Sequence, residues 1–362
     1  MFKIKKQISK LYTSSVLGNL PLTGAWVAIL AARGYSLVEI GIAETVFHIT
    51  SLIFEIPSGV LADVFGRKKM LIVSTIMRMI GNIIMIMSDN LFMVCMSIAF
   101  HALSYNFSSG SGDALAYDSL KLAGQESRFE KYESNQLIIY RLCSGISTLC
   151  AGFALTIGHR LAYGTDLVTG VIQIAVLSSL REMYAVEPNN DVSVGRKLIA
   201  CFRESFAFIK EVRQAIGLMF CNSFVGAVDI LLLFFLQAKL PEKGIPEWGL
   251  GAALLFMEMG GIAGSKLILK FPKIRYKTIY AISLSLVLCG FIAEHSASYL
   301  VMALGGFIAA VGDDALQVRT NAVLQDMFPS EQRATLTSVE SFSFSVIMIV
   351  LSPLAGFVFT YW

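Results

Sequence analysis

Apolar segments follow one another along almost the whole chain, each about as long as a helix needs to cross a bilayer (roughly 20 residues). No such stretch sits alone, and the connections between most of them are short. Composition points the same way. Of 362 residues, 55% are hydrophobic and only 15% charged, with a mean hydropathy of +0.67. A soluble chain of this size rarely carries so little charge, so the class is an all-α, multi-pass membrane protein. The segment after Met1-Phe-Lys3-Ile-Lys5-Lys6 is long and lacks a small-residue cleavage site, so it reads as the first span rather than a signal peptide.

Eleven spans are expected, at roughly 9–31, 37–61, 69–88, 91–117, 135–157, 161–183, 214–238, 247–268, 277–294, 298–320 and 333–360. Between the sixth and seventh lies a longer segment, 184–213. Its Leu198, Ile199, Phe202, Phe206 and Ile209 recur at helical spacing among Arg196, Lys197, Arg203, Lys210 and Arg213. Such a helix suits the cytoplasmic membrane face as a linker, and its place between spans disfavours a nucleic-acid role. The expected organisation is therefore an N-terminal six-helix bundle (1–183), a linker (184–213) and a five-helix C-terminal bundle (214–362). Basic residues set the orientation. With the N-terminus inside, inner connections receive Lys3, Lys5, Lys6, Lys10, Arg67, Lys68, Lys69, Lys121, Arg128 and Lys131, the linker's cations and those of 266–277. The outside receives Arg33, Arg160, Lys239 and Lys243. This places the chain in a cytoplasmic (inner) membrane with the N-terminus cytoplasmic. With eleven spans, Trp362 lies outside.

Between spans two and three stands Gly59-Val-Leu-Ala-Asp63-Val-Phe-Gly66-Arg67-Lys68-Lys69. Gly66 suits a tight reversal, because glycine accepts backbone angles that other residues resist. The string resembles the G-x-x-x-D-x-x-G-R-K motif of the major facilitator superfamily, and every fixed position is matched. The resemblance implies two pseudo-symmetric six-helix bundles, here without the twelfth helix, that rock about a midplane site. It also implies a conformational latch of Gly59, Asp63, Gly66, Arg67 and Asp118, in which Asp63 meets the N-terminus of span eleven and Arg67 bridges to Asp118 on span four. An internal repeat agrees: Gly112-Asp113-Ala-Leu in span four is echoed by Gly312-Asp313-Asp314-Ala-Leu in span ten.

Charges near the bilayer centre are costly and so are candidates for function. Glu55 and Arg78 lie at similar depth, roughly 12 Å from the cytoplasmic end, and are expected to pair. Asp113 and Arg141 invite the same reading, with Asp113 either a coupling carboxylate or a static partner. Glu44 and His48 share one face of span two. Asp229, Glu258 and Glu340 have no partner nearby in sequence. Asp313 and Asp314 point about 100° apart, and two carboxylates so close in an apolar setting favour holding a proton. Cys95, Cys143, Cys150, Cys201, Cys221 and Cys289 show no metal-ligand spacing and receive no chemistry.

Some features of the family are absent. Asn106 stands where proton-coupled exporters carry an arginine before Gly110, and Gly145 to Gly152 lacks the antiporter proline. No nucleotide-binding loop, metal helix or nucleophile elbow is present, so no enzyme activity, metal or cofactor is expected. The 15 Met and 25 Phe suit an amphipathic substrate. The preferred reading is a monomeric secondary transporter that exports multidrug-type compounds as a proton antiporter. A polar metabolite as cargo, and a truncated non-transporting subunit or receptor, remain as alternatives.

Overall fold

The computed structural model describes residues 4–183, 213–327 and 333–361, together with Gly195, Arg196, Ile199 and Arg203. The expected linker helix and the segment opening span eleven, 328–332, lie outside the described residues, as does the side chain of Asp63. The described residues are almost all helical. In chain order the helices are α1 (Ile4–Asn19), α2 (Trp26–Ala32), α3 (Leu37–Phe65), α4 (Arg67–Met87), α5 (Leu91–Ser108), α6 (Ser111–Leu122), α7 (Phe129–Leu149), α8 (Ala151–Ile157) and α9 (His159–Ser178). After the linker come α10 (Arg213–Glu242), α11 (Glu247–Ile268), α12 (Tyr276–Ala293), α13 (Tyr299–Met327) and α14 (Arg333–Tyr361). Among the described residues nine helical segments are long and apolar enough to span a membrane, and α7 with α8, bent by 48°, makes a tenth.

The remaining expected span, 9–31, is divided into α1 and α2. Pro21 supplies no N–H, and the break exposes backbone groups that side chains then satisfy. Leu22 N–H donates to Asp166 Oδ1 at 3.1 Å and the Thr23 hydroxyl to Asp166 Oδ2 at 2.5 Å. Asp166, on α9, is only 4% exposed. Span four is also divided. Gly110 sits at φ +69°, a left-handed angle that glycine tolerates best, and α5 ends and α6 begins around it. Gly66, at φ +101°, makes the expected reversal between α3 and α4.

By contacts the chain forms two compact units. The first comprises Met1–Gly24, Val46–Ser147 and Ile157–Arg203. Within it α4 packs against α5, α9 and α6, and α1 against α9 and α6. Arg78 on α4 ties three of these helices together. It donates to Gly18 O at 2.9 Å and to Gln173 Oε1, and Gln173 in turn donates to Ser14 O at 2.9 Å. Arg78 therefore does not pair with Glu55 as expected. Equal depth fixes the height of two side chains but not their direction around the helix, and Arg78 faces α1 and α9.

The second unit comprises Ala25–Thr45, Thr148–Thr156 and Glu204–Trp362, with α13 packed by α10, α11 and α12. Small residues let backbones approach closely, as is usual for helices in lipid. A Cβ at Gly260 would lie 2.1 Å from Phe307 O, and one at Gly264 2.2 Å from Val311 O. The Leu37 end of α3 and the short α8 belong to this unit and dock in the same way. A Cβ at Gly41 would fall 2.4 Å from Ser352 O, and one at Gly356 2.3 Å from Leu37 O. One at Gly152 would fall 1.8 Å from Glu247 O, and one at Gly251 2.3 Å from Leu149 O. Two helix crossings, α3 with α14 and α8 with α11, are thus closed to backbone contact.

Candidate functional site

The hairpin is held by groups from two other parts of the first unit, α6 and the residues that follow α9. Arg67, first residue of α4, donates from Nη1 to Ala114 O at 2.9 Å and forms an ion pair with Asp118 Oδ2. Asp118 is buried on α6. The expected Arg67–Asp118 contact is present, whereas the expected contact of Asp63 falls outside the described side chains. Gly59 is exposed, with nothing within 4 Å of a Cβ built there.

Sequence reasoning missed a further acid, Glu182, which follows α9. Its Oε1 accepts from Arg67 N–H at 3.1 Å and its Oε2 from Lys68 N–H at 3.0 Å. A helix N-terminus has unsatisfied donors and partial positive charge, and a carboxylate answers both. Burial raises the pKa of Glu182 above the ordinary 4.5, against the opposing pull of the Lys68, Arg67 and Lys69 backbone N–H groups and the Arg67 charge. Glu182→Ala is expected to lower stability by about 1 kcal/mol, the usual cost of an N-terminal cap. The melting temperature of purified protein reads this, and an unchanged value would deny Glu182 that role. The pH effect has a definite sign. Because burial outweighs those hydrogen bonds and raises the folded pKa, ionising Glu182 costs stability. Its contribution is fully present below 4.5 and declines as pH rises through the raised value, so the loss on Glu182→Ala is expected to be largest on the acid side.

The break at Gly110 forms a second feature. Asp113 lies in the first turn of α6 and is exposed. A Cβ at Gly110 or Gly112 would meet nothing within 4 Å. Among the described residues Asp113 makes no ion pair with Arg141, which is itself exposed on α7. Beside the break stands an aromatic face: Phe47 lies 6.1 Å from Tyr105 and Phe54 6.4 Å from Phe107, ring centre to ring centre. Glu55 lies on α3 next to Phe54. Asn106 is buried, exchanging hydrogen bonds with Ser51: Ser51 Oγ donates to its Oδ1 at 2.8 Å, and its Nδ2 donates to Ser51 O at 2.6 Å. Glu44 and His48 are both buried on α3, with His48 edge-on to Phe47.

The echo of this motif in the second unit has a different setting. Gly312, Asp313 and Asp314 lie within the continuous helix α13. Asp313 turns toward α10, its Oδ1 3.2 Å from where a Gly226 Cβ would stand, and Asp314 turns toward Gly261 on α11. The divergence expected from helical spacing is observed, with each acid against a neighbouring helix. Asp229, three residues beyond Gly226 on α10, is 4% exposed, and its Oδ1 accepts no hydrogen bond among the described residues. It stands one helical turn from the Gly226 that Asp313 abuts. The other two acids without sequence-local partners have found polar ones. Glu340 Oε1 accepts from Asn222 Nδ2 at 2.9 Å, and Glu258 Oε1 from the Thr148 hydroxyl at 3.0 Å. Among the described residues no group of three potential ligands is placed to hold a metal.

Known proteins share both the sequence pattern and this architecture. The chain is 24% identical over 344 residues to the uncharacterized MFS-type transporter YxaM of Bacillus subtilis (strain 168), covering 92% of this chain and 84% of that protein. It is 23% identical over 240 residues to the inner membrane transport protein YajR of Escherichia coli (strain K12), covering 64% of this chain and 50% of YajR. Among solved structures, the nucleoside transporter NupG superposes with a TM-score of 0.75 at 15% identity, covering 100% of this chain and 92% of NupG. A D-xylose-proton symporter superposes with a TM-score of 0.70 at 10% identity, over 97% and 89% of the two chains. At these identities the superpositions speak for the fold. The model of the Major Facilitator Superfamily matches residues 11–353, and the chain belongs to that family of membrane transporters.

Proposed function

We propose that this transporter exports small amphipathic compounds in exchange for protons, by alternating access of its two repeats. The N-terminus and the Gly59–Leu71 hairpin face the cytoplasm, and the protein acts as a monomer in the cytoplasmic membrane. The observation that carries the coupling is Asp229: a buried carboxylate, one oxygen unpaired among the described residues, one helical turn from the Gly226 against which Asp313 is directed. Carboxylates crowded in an apolar setting share protons readily, because ionising all of them at once is unfavourable. Asp113 at the Gly110 break offers a second carboxylate, beside the aromatic face that suits a ring-bearing, cationic substrate. Arg67 and Asp118, with Asp63, latch the two repeats in the outward-facing state, and Glu182 keeps Arg67 at the correct end of α4.

Cells expressing the protein are expected to accumulate less of at least one lipophilic cationic dye or antibiotic than cells without it. Collapsing the proton gradient is expected to erase the difference. Equal accumulation across the panel, with the protein shown to be in the membrane, would reject export. A difference confined to sugars or nucleosides would replace the amphipathic substrate with a polar metabolite.

A further inference from the structure

A cleft of about 420 Å³ opens in the first unit between the start of α1, the end of α6 and the start of α7. Lys5, Arg128 and Lys131 line it, with Tyr12, Tyr132 and Asn135. Among the described residues that line it there are three cations and no carboxylate. Among the described residues Lys5 and Lys131 form no ion pair, and Arg128 spends only Nη1, donating to Gln125 Oε1 at 3.0 Å. Two acids of this segment with described side chains, Glu126 and Glu133, are directed elsewhere. Glu126 accepts from the Tyr117 hydroxyl, and Glu133, two residues from Lys131 on α7, lies on a different face of the helix.

The floor is built rather than incidental. Tyr12 and Tyr132 stack at 5.3 Å, and Phe129 stacks on Tyr132 at 6.0 Å. Asn135 Nδ2 donates to the Tyr12 hydroxyl at 3.0 Å. Tyr132 is 1% exposed and belongs to a core with Leu11, Leu115 and Leu120. Ile4, Ile8 and Leu120 give the same cleft an apolar wall. Cations and stacked aromatics in one cleft, beside an apolar wall, match a phosphate group carried on an acyl chain. Basic pockets between membrane helices on the cytoplasmic side take anionic headgroups for the same reason.

We propose that this cleft binds a phosphate monoanion or diester, supplied by an anionic phospholipid of the cytoplasmic leaflet. Arg128 and the two lysines would hold the phosphate oxygens through charge-assisted hydrogen bonds. A soluble phosphate offers the same oxygens without the acyl chain, so the experiment separates the two sources.

The test uses purified full-length protein, exchanged into nanodiscs of phosphatidylcholine with increasing phosphatidylglycerol, with bound lipid counted by native mass spectrometry. Phosphatidylglycerol is expected to be retained about tenfold or more over phosphatidylcholine, since each basic group near a lipid headgroup contributes on the order of 1 kcal/mol. The triple change Lys5→Gln, Arg128→Gln and Lys131→Gln is expected to abolish that preference. All three side chains are exposed, so the fold is kept. Removing equal charge elsewhere, by Lys266→Gln, Lys270→Gln and Lys273→Gln, is expected to leave it intact. In a parallel arm, inorganic phosphate is titrated in detergent with thermal unfolding as the readout. Stabilisation by phosphate in the original chain but not in the first triple variant, without lipid preference, would assign the cleft to a soluble phosphate. A lipid preference that survives the first triple change, or is lost equally in the second, would overturn the site. So would the absence of both lipid preference and phosphate stabilisation.

Discussion

Valine in place of Gly152 is expected to force α8 away from α11 and to raise the alkylation rate of Cys150 about tenfold or more. The reason is steric and local. Any Cβ at position 152 would stand 1.8 Å from Glu247 O, which is backbone and cannot rotate aside. Overpacking of this kind typically costs ~1–3 kcal/mol, and a bias of 3 kcal/mol shifts a two-state equilibrium by roughly 150-fold. The transporter can relieve the overlap only by separating the crossing, so the state in which these ends part is favoured. Cys150 lies at the crossing and is partly exposed already, which makes it a native reporter. The measurement is the rate of maleimide labelling in a chain whose other cysteines are serine. An unchanged rate in folded Gly152→Val protein would show that the crossing does not open in the cycle. Gly41→Val tests the α3–α14 crossing by the same logic, with a Cβ 2.4 Å from Ser352 O.

The second large effect concerns Asp229. Asp229→Asn keeps the shape of the side chain and removes its ability to take up and release a proton. Proton-driven transport in liposomes is expected to fall by at least about tenfold, because a crowded carboxylate that no longer ionises cannot report the proton gradient to its neighbours. Substrate counterflow, which needs no net proton movement, is expected to persist. Loss of both would mark Asp229 as a packing residue, and loss of neither would remove it from coupling. Asp313→Asn and Asp113→Asn, in the same assay, divide the task between the buried cluster and the exposed acid.

Much of this was legible in the residues, and the gaps have physical causes. Gly66 and Arg67 announced the hairpin because a short reversal between long apolar segments leaves few choices of residue. The divergence of Asp313 and Asp314 followed from helical spacing alone. What depth along a span cannot supply is direction around it, and both expected ion pairs failed there: Arg78 faces Gly18 and Gln173, and Asp113 and Arg141 stay apart. Asp166 escaped notice because its partners, Leu22 and Thr23, stand more than a hundred positions away and sit at a break that averaging over an apolar window conceals. Glu182 escaped for a similar reason, since it serves a helix that begins 115 residues earlier.

The division of span four has a mechanical consequence. α5 is anchored, with Asn106 tied to Ser51 and the Ser104 carbonyl accepting from Ser74. α6 is fastened at its far end, through Asp118 and Ala114, to the head of α4. Gly110 lies between, where no continuous ladder of backbone bonds resists torsion. Among the described residues the break is bridged by one side-chain bond, from the Ser111 hydroxyl to Phe107 O. Twist applied at the hairpin is therefore expected to be taken up at Gly110, turning α6 and Asp113 while the aromatic face on α5 keeps its grip on α3.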